Sequence, residues 1–367
     1  MGVSQFARSC VIFAALSTSL LGTGCSLFGG VRVETLATSV QKPSHVAVYI
    51  GVTDGDQPVT ELEAKNFRIY ENGQELDPHQ VDRVLLPREP VTHERVLLLV
   101  DLSGNPSAER REQYAHAVEA FVRKLTESLA VSVRAYDGSP GLKPVGDFPR
   151  GSTTFAAAAL TKASSKDQSR DLNGAVVAGL ADLDRAAQSN AKPIELGTLV
   201  VFATGPDLAG RTQEDKLYEA LDHAKHDVIG IGVGEDVPYL GFARGGVIHA
   251  QNADTLPIAF EEAGARVRAT HAKYYLVAYC SPARAGQRTV RIEVVHDDKD
   301  GDEHSGSADL EIDATGFGPG CHSTAAPRFE RPRSSDGSPE GGARINHSET
   351  SDSSAVVPPP ATGDYAK

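Results

Sequence analysis

Asp101, Ser103 and Asn105 stand at alternate positions in VLLLVDLSGNPSAER, residues 96–110, directly after an apolar run. A carboxylate, a hydroxyl and an amide oxygen spaced this way in a turn are hard donors, the kind that hold a small divalent cation. The same side chains could instead cap the helix that follows. A second acidic run, HDDKDGDEHSG (residues 296–306), carries Asp297, Asp298, Asp300 and Asp302. Aligning the obligatory glycine of a calcium-binding helical loop with Gly301 puts His296 first and Ser307 last, where an acid and a glutamate are needed. That run reads as a solvated hairpin turn. GIGVGED, residues 230–236, spaces its glycines like a phosphate-binding loop. It does not open a helix after the first strand, so it reads as a strand end. GxSxG, HExxH and CxxC do not occur, and the 12 histidines are scattered, His223 and His226 at a helix end included. With no catalytic constellation, the chain is expected not to be an enzyme.

The elements around Asp101 follow from hydrophobic rhythm. RVLLLVDLS is a continuous apolar strand, as expected when helices cover both faces of a sheet. Residues 107–127 place Tyr114, Val118, Phe121, Val122 and Leu125 on one helical stripe, and residues 171–187 do the same with Leu172, Val176, Leu180 and Leu183. Residues 153–165, 211–225 and 253–273 also read as helices. LAVSVRAYDG, LKPVGDF, GTLVVFATGP, HDVIGIGVG and GGVIHAQ read as strands. Strands alternating with helices predict a doubly wound, mostly parallel α/β sheet, whose ligands sit at the carboxyl ends of its strands. Asp101 ends the first of them.

The flanks have a different rhythm. HVAVYIGV alternates, NFRIYENG closes on an Asn72-Gly73 hairpin signal, and YYLVAYCSP, RTVRIEVVHDD and SADLEIDATGF are strand-like. Neither flank has enough strands for a domain of its own. The expectation is one small β-sandwich made by both flanks, with the α/β domain inserted; the alternative is that each flank packs independently.

DLSGN resembles the DxSxS motif of von Willebrand factor A domains, and the resemblance runs over most of residues 94–272 in the order of its elements. VYIGVTDGDQPVTELEAKNFRIYENG (residues 48–73) is similar to a segment of bacterial proteins related to that family. The resemblance implies a metal-ion-dependent adhesion site, in which the motif, a Thr from a second loop and an Asp from a third hold the ion. Asp101 and Ser103 match, and Asn105 replaces the second Ser. In the second loop, Leu172 and Ala175 set a frame that puts Arg170 at the Thr position. A guanidinium has no lone pair and repels a cation. In the third loop, FATGPD aligns Thr204 with the lost Asp. Asp171 and Asp207 are near enough in sequence to substitute. Two readings stay open: a surviving Mg²⁺ or Mn²⁺ site, or a degenerate one in which Arg170 takes the cation position and pairs with Asp101. The second is preferred.

MGVSQFARS followed by CVIFAALSTSLLG has the form of a signal peptide, too short to span a bilayer as a stable helix. Gly22, Thr23 and Gly24 before Cys25 resemble the lipobox of bacterial lipoproteins, with Gly22 where Leu is usual. The resemblance implies lipidation of Cys25, and Ser26 after it favours the outer membrane. Of the 4 cysteines, Cys10 leaves with the signal, which leaves Cys280 and Cys321 to pair in an exported chain. The expected organisation is signal peptide 1–24, tether 25–43, β-sandwich 44–90 and 273–321, von Willebrand A-like domain 91–272, and a Ser, Pro and Gly-rich disordered tail 322–367. The net charge of -13 argues against nucleic acid, whose phosphates need Lys and Arg. The function expected is that of an envelope lipoprotein, tethered to the membrane by lipid, whose domain binds an unidentified envelope or surface protein without a cation. The alternative is Mg²⁺- or Mn²⁺-dependent adhesion to an acidic residue of the partner.

Overall fold

The alternation of VRVETLATSVQ builds a strand within the span expected to be a tether. In this computed structural model, which describes residues 30–330 apart from 79, 154, 156, 235 and 298–300, β1 (Val31–Gln41) pairs antiparallel with β2 (His45–Asp54). Its burial alternates along the strand, as one face packs inward and the other meets solvent. Half of its inward positions are Thr, Ser or Gln in size and polarity, which hid the pattern. Arg8, Cys10 and Cys25 lie outside the described residues.

The N-terminal flank adds β3 (Gln57–Pro58), β4 (Phe67–Glu71), β5 (Gln74–Glu75) and β6 (Val84–Leu85). The α/β unit runs β7 (Thr92–Asp101), α1 (Ala108–Thr126), β8 (Ala130–Tyr136), β9 (Lys143–Phe148), α2 (Ala157–Thr161) and α3 (Leu172–Gln188). It continues through β10 (Ile194–Ala203), α4 (Glu214–His223), β11 (Asp227–Val233), β12 (Val247–Ala250) and α5 (Leu256–Ala272). The C-terminal flank returns as β13 (Tyr274–Cys280), β14 (Gln287–Asp297) and β15 (Glu303–Asp313).

Both flanks share two antiparallel sheets, one ordered β1-β2-β13-β6 with β3 on β2, the other β15-β14-β4-β5. Val46, Val48 and Ile50 of the first pack against Phe67, Ile69, Val290 and Ile292 of the second, and all are buried. The opposite face of the first sheet presents Tyr49 and Leu276 to Ile194 and Leu196 at the start of β10, which joins the sandwich to the α/β unit.

The third sheet has the order β12-β11-β10-β7-β8-β9. Every pair in it is parallel except β8–β9. Strand side chains alternate between its faces: Val96, Leu98 and Val100 meet α1 and α5, while Leu97 and Leu99 meet α3. The chain leaves β7 for β8 on one side and reaches β10 on the other, so the strand order reverses between β7 and β10. That is where a doubly wound sheet opens a crevice.

The helix expected over 153–165 shrinks to Ala157–Thr161. The residues beyond it turn back as a loop because the Ser165 hydroxyl and the Lys166 N–H both donate to Asp137. The tail expected from 322 is also shorter at its start. Cys280 and Cys321 form a disulfide with Cα atoms 5.8 Å apart. Beyond it Ser323 donates to Asp82 at 2.6 Å, and Ser39 bonds both polar groups of the Arg328 backbone. A segment too polar to form a core is thus held along β1 and β2 by hydrogen bonds. Residues 331–367 lie outside the described residues.

Candidate functional site

The end of β7 delivers Asp101 into the crevice, the end of β10 delivers Thr204, and the loop before α3 delivers Arg170. Asp101 is 1 % exposed. Its Oδ1 accepts from the Ser103 N–H at 2.9 Å and from the Ser103 hydroxyl at 2.5 Å. Its Oδ2 accepts from Arg170 Nε at 2.6 Å, the Thr204 N–H at 2.9 Å and the Thr204 hydroxyl at 2.7 Å. An ionised carboxylate offers about four lone-pair sites, and here every direction is taken by a donor.

Arg170 is clamped from all sides. One terminal nitrogen donates to Thr204 Oγ1 at 2.8 Å and the other to the Pro206 carbonyl at 3.0 Å. Its own carbonyl accepts from the N–H groups of Leu208 and Ala209 at 2.8 and 2.9 Å. Gly205 makes room for it, because a Cβ there would lie 2.7 Å from the Arg170 guanidinium. The Thr204 hydroxyl relays the arrangement, accepting from Arg170 and donating to Asp101. Both charges are buried, so each needs the other and the neutral donors around it.

The remaining acids are committed elsewhere. Asp171 accepts from the Gly174 N–H and caps α3. Asp207 accepts from the N–H groups of Asn173 and Gly210 at 3.0 and 2.8 Å. Neither swings into the place of a lost ligand. Burial, then the charge of Asp207, raises the Asp171 carboxyl above its ordinary value. Burial, then the charge of Asp101, pushes the Tyr136 phenol well above its own, and its hydroxyl donates to the Phe202 carbonyl at 3.2 Å. Asn105 stands outside the cluster, exposed and in the left-handed region at φ 50°. The cap of α1 is Ser107, not Asp101 or Ser103.

The donor set does not fit a divalent cation at Asp101. The carboxylate that would lead the coordination is saturated, and a guanidinium fills the space between the loops. What the arrangement can do is hold three loops in register with a covalently attached positive charge.

A second buried acid, missed in the sequence, stands one strand over. Asp137 follows β8, is 1 % exposed, and pairs with Lys143. It also accepts from the N–H groups of Ser139 and Lys166 at 2.8 and 2.7 Å. Burial alone would raise its carboxyl, but Lys143 and these N–H donors outweigh burial and hold it well below the usual carboxylate range. VSVRAYD, a strand-like segment that ends in an acid as VLLLVD does, could have flagged it, although Ser132 and Arg134 interrupt its apolar character.

No family model matches the sequence, and no curated protein matches it. Solved structures do. A von Willebrand factor type A protein from Catenulispora acidiphila aligns over 80% of this chain and 76% of its own, at 14% identity and TM-score 0.40. The manganese-loaded TRAP protein of Plasmodium vivax aligns over 68% of this chain and 99% of its own, at 14% identity and TM-score 0.38. Proximal thread matrix protein 1 of the mussel byssus, with a zinc-occupied metal-ion-dependent adhesion motif, aligns over 49% of this chain and 48% of its own, at 14% identity and TM-score 0.35. The α/β unit itself is a mostly parallel sheet with helices on both faces and the DLSGN loop at the carboxyl end of the central strand β7.

Proposed function

We propose that this chain is a non-enzymatic binding protein of the bacterial envelope, tethered by lipid on Cys25, whose von Willebrand A-like domain contacts another protein without a metal ion. The observation that carries this reading is the Arg170 guanidinium seated on Asp101 and Thr204. It fastens the loops at the carboxyl end of the sheet, so they need no cation to be ordered. The loop it fastens also displays Leu208, 66% exposed, beside the Arg170 backbone that accepts its N–H. Binding residues are disproportionately carried on loops positioned by a scaffold, and Leu208 is the exposed position of this loop from which a crosslinker can report a contact.

A photocrosslinking residue at position 208, in the full chain on living cells, tests the reading. A defined protein adduct of equal yield with and without EDTA is expected. No adduct, or one that EDTA abolishes, overturns it. Labelling with a radioactive fatty acid, lost in Cys25→Ala, tests the tether separately.

A further inference from the structure

At the far edge of the sandwich, Asp54 ends β2 in one sheet while His296 and His304 face each other across the β14–β15 hairpin of the other. Their ligand-capable atoms all lie within 4.8 Å of one another. His304 Nδ1 is 2.7 Å from Asp54 Oδ2, and His296 Nε2 is 3.5 Å from the same oxygen. Backbone geometry brings them together. Asp54 pairs with Val31 across β1 and β2. Gly306 of β15 lets that corner approach, because a Cβ there would sit 2.0 Å from the Val31 carbonyl oxygen.

His296 shows how the cluster is oriented. Its Nδ1 lies 3.0 Å from the Asp297 carbonyl, which only accepts, so Nδ1 carries the proton and donates. In the neutral ring, Nε2 then presents a lone pair. That nitrogen is buried and makes no hydrogen bond among the described residues, although it faces a carboxylate oxygen. Two acceptors turned toward each other in a half-buried corner are groups that a shared cation would join. A ring held through one N–H on a carbonyl, which leaves the other nitrogen as a lone-pair donor, is how metal-bound histidines are oriented.

The dimensions agree. Tetrahedral zinc with bonds of 2.0–2.1 Å sets its ligand atoms roughly 3.3 Å apart. The 3.5 Å separation at His296 already matches, and the 2.7 Å contact at His304 must open by roughly half an ångström on this geometry. His304 has the freedom, since its side chain is 32% exposed against 14% for His296. Two imidazoles and one carboxylate suit zinc and similar first-row ions better than Mg²⁺, which prefers oxygen alone. Three protein ligands leave a fourth position toward solvent, where water completes the shell.

We propose that Asp54, His296 and His304 form a zinc-type metal site that clips the two sheets of the sandwich together. It is independent of the Asp101 loop and of the proposed function.

The probe is Co²⁺, then Zn²⁺, added to the metal-stripped full chain. Expected are an intense visible Co²⁺ absorption saturating at one equivalent, its displacement by Zn²⁺, and a rise in Tm of several degrees at a hundredfold excess of Zn²⁺ over Kd. His296→Ala and His304→Gln should each lower affinity at least tenfold, while His223→Ala leaves it unchanged. A readout without variants is diethyl pyrocarbonate labelling of the natural chain. Zn²⁺ should protect His296 and His304 but not His223. No saturating absorption overturns the site, as does equal affinity in the His296 and His304 variants or equal labelling with and without Zn²⁺.

Discussion

Asp101 and Asp54 are both carboxylates at strand ends, and nitrogen approaches both. They differ in what the chain supplies. Asp101 receives five hydrogen bonds from Ser103, Arg170 and Thr204, one of them carrying a full positive charge. Asp54 meets two imidazoles, and one of these turns toward it a nitrogen that makes no hydrogen bond among the described residues. A carboxylate filled by donors has no direction left for an ion. A carboxylate facing a lone pair has such a direction. A carboxylate is closed to a metal ion when donors that include a charge fill its lone pairs, and the acid itself need not be removed. Asp137 supports the same rule, with Lys143 as its built-in cation.

The strongest way to break the comparison is to withdraw the cation from Asp101. Arg170→Ala leaves a buried carboxylate with neutral donors only, and should cost about 3–5 kcal/mol of stability in urea unfolding. The double variant Asp101→Asn with Arg170→Met should lose much less than the sum of the single changes, because no unpaired charge remains. A single-variant loss below about 1 kcal/mol would show the pair to be hydrated and the rule wrong here.

The second test converts one kind of site into the other. Arg170→Thr with Thr204→Asp restores an oxygen and a carboxylate while removing the guanidinium. Mg²⁺ at a hundredfold excess over Kd should then add about 2.7 kcal/mol, reversed by EDTA, with no effect on the natural chain. A natural chain that responds equally would mean the ion enters despite Arg170.

The third test uses acid. The Asp137 carboxyl lies well below its ordinary value in the folded chain, held there by Lys143 and backbone N–H groups against the opposing effect of burial. A depressed folded value means the stabilisation is present above the unfolded value, about 3.9, and is lost as pH falls below it. Lys143→Ala should cost about 1.5–3 kcal/mol at pH 7. The gap from the natural chain should narrow steadily from pH 4 downward. A gap constant with pH would mean Lys143 acts by packing alone.

Parts of this arrangement could be read before any coordinates. The apolar run into Asp101 announced a central strand, and the frame of Leu172 and Ala175 put Arg170 beside the acid. The saturation of Asp101 could not be read, because the Thr204 N–H that it accepts, like the Pro206 carbonyl that holds Arg170, comes from the path of a distant stretch of backbone. β1 escaped notice because Thr35 and Ser39 dilute its apolar alternation, while Leu36 and Val40 point outward. The Asp54 cluster was hidden for a similar reason. His296 and His304 are symmetric about a hairpin, a legible fact, but Asp54 joins them only through the pairing of Val31 and the bare Cα of Gly306.

The smallest expected effect tests where the Asp101 cluster ends. By motif Asn105 belongs to the cation loop, yet it is exposed and adopts φ 50°, a conformation glycine takes without strain. If the loop is fastened by Arg170 alone, Asn105→Gly keeps the left-handed conformation, which glycine adopts at less cost than asparagine. Glycine's greater freedom in the unfolded chain is offset by the lost Cβ penalty, so stability should move by less than about 0.5 kcal/mol. The same change in the Arg170→Thr, Thr204→Asp background is the informative one. There the amide oxygen can reach a newly created ion, and its removal should weaken Mg²⁺ severalfold. An effect of Asn105→Gly on Mg²⁺ response in the natural chain would place Asn105, and an ion, back inside the loop that Arg170 fills.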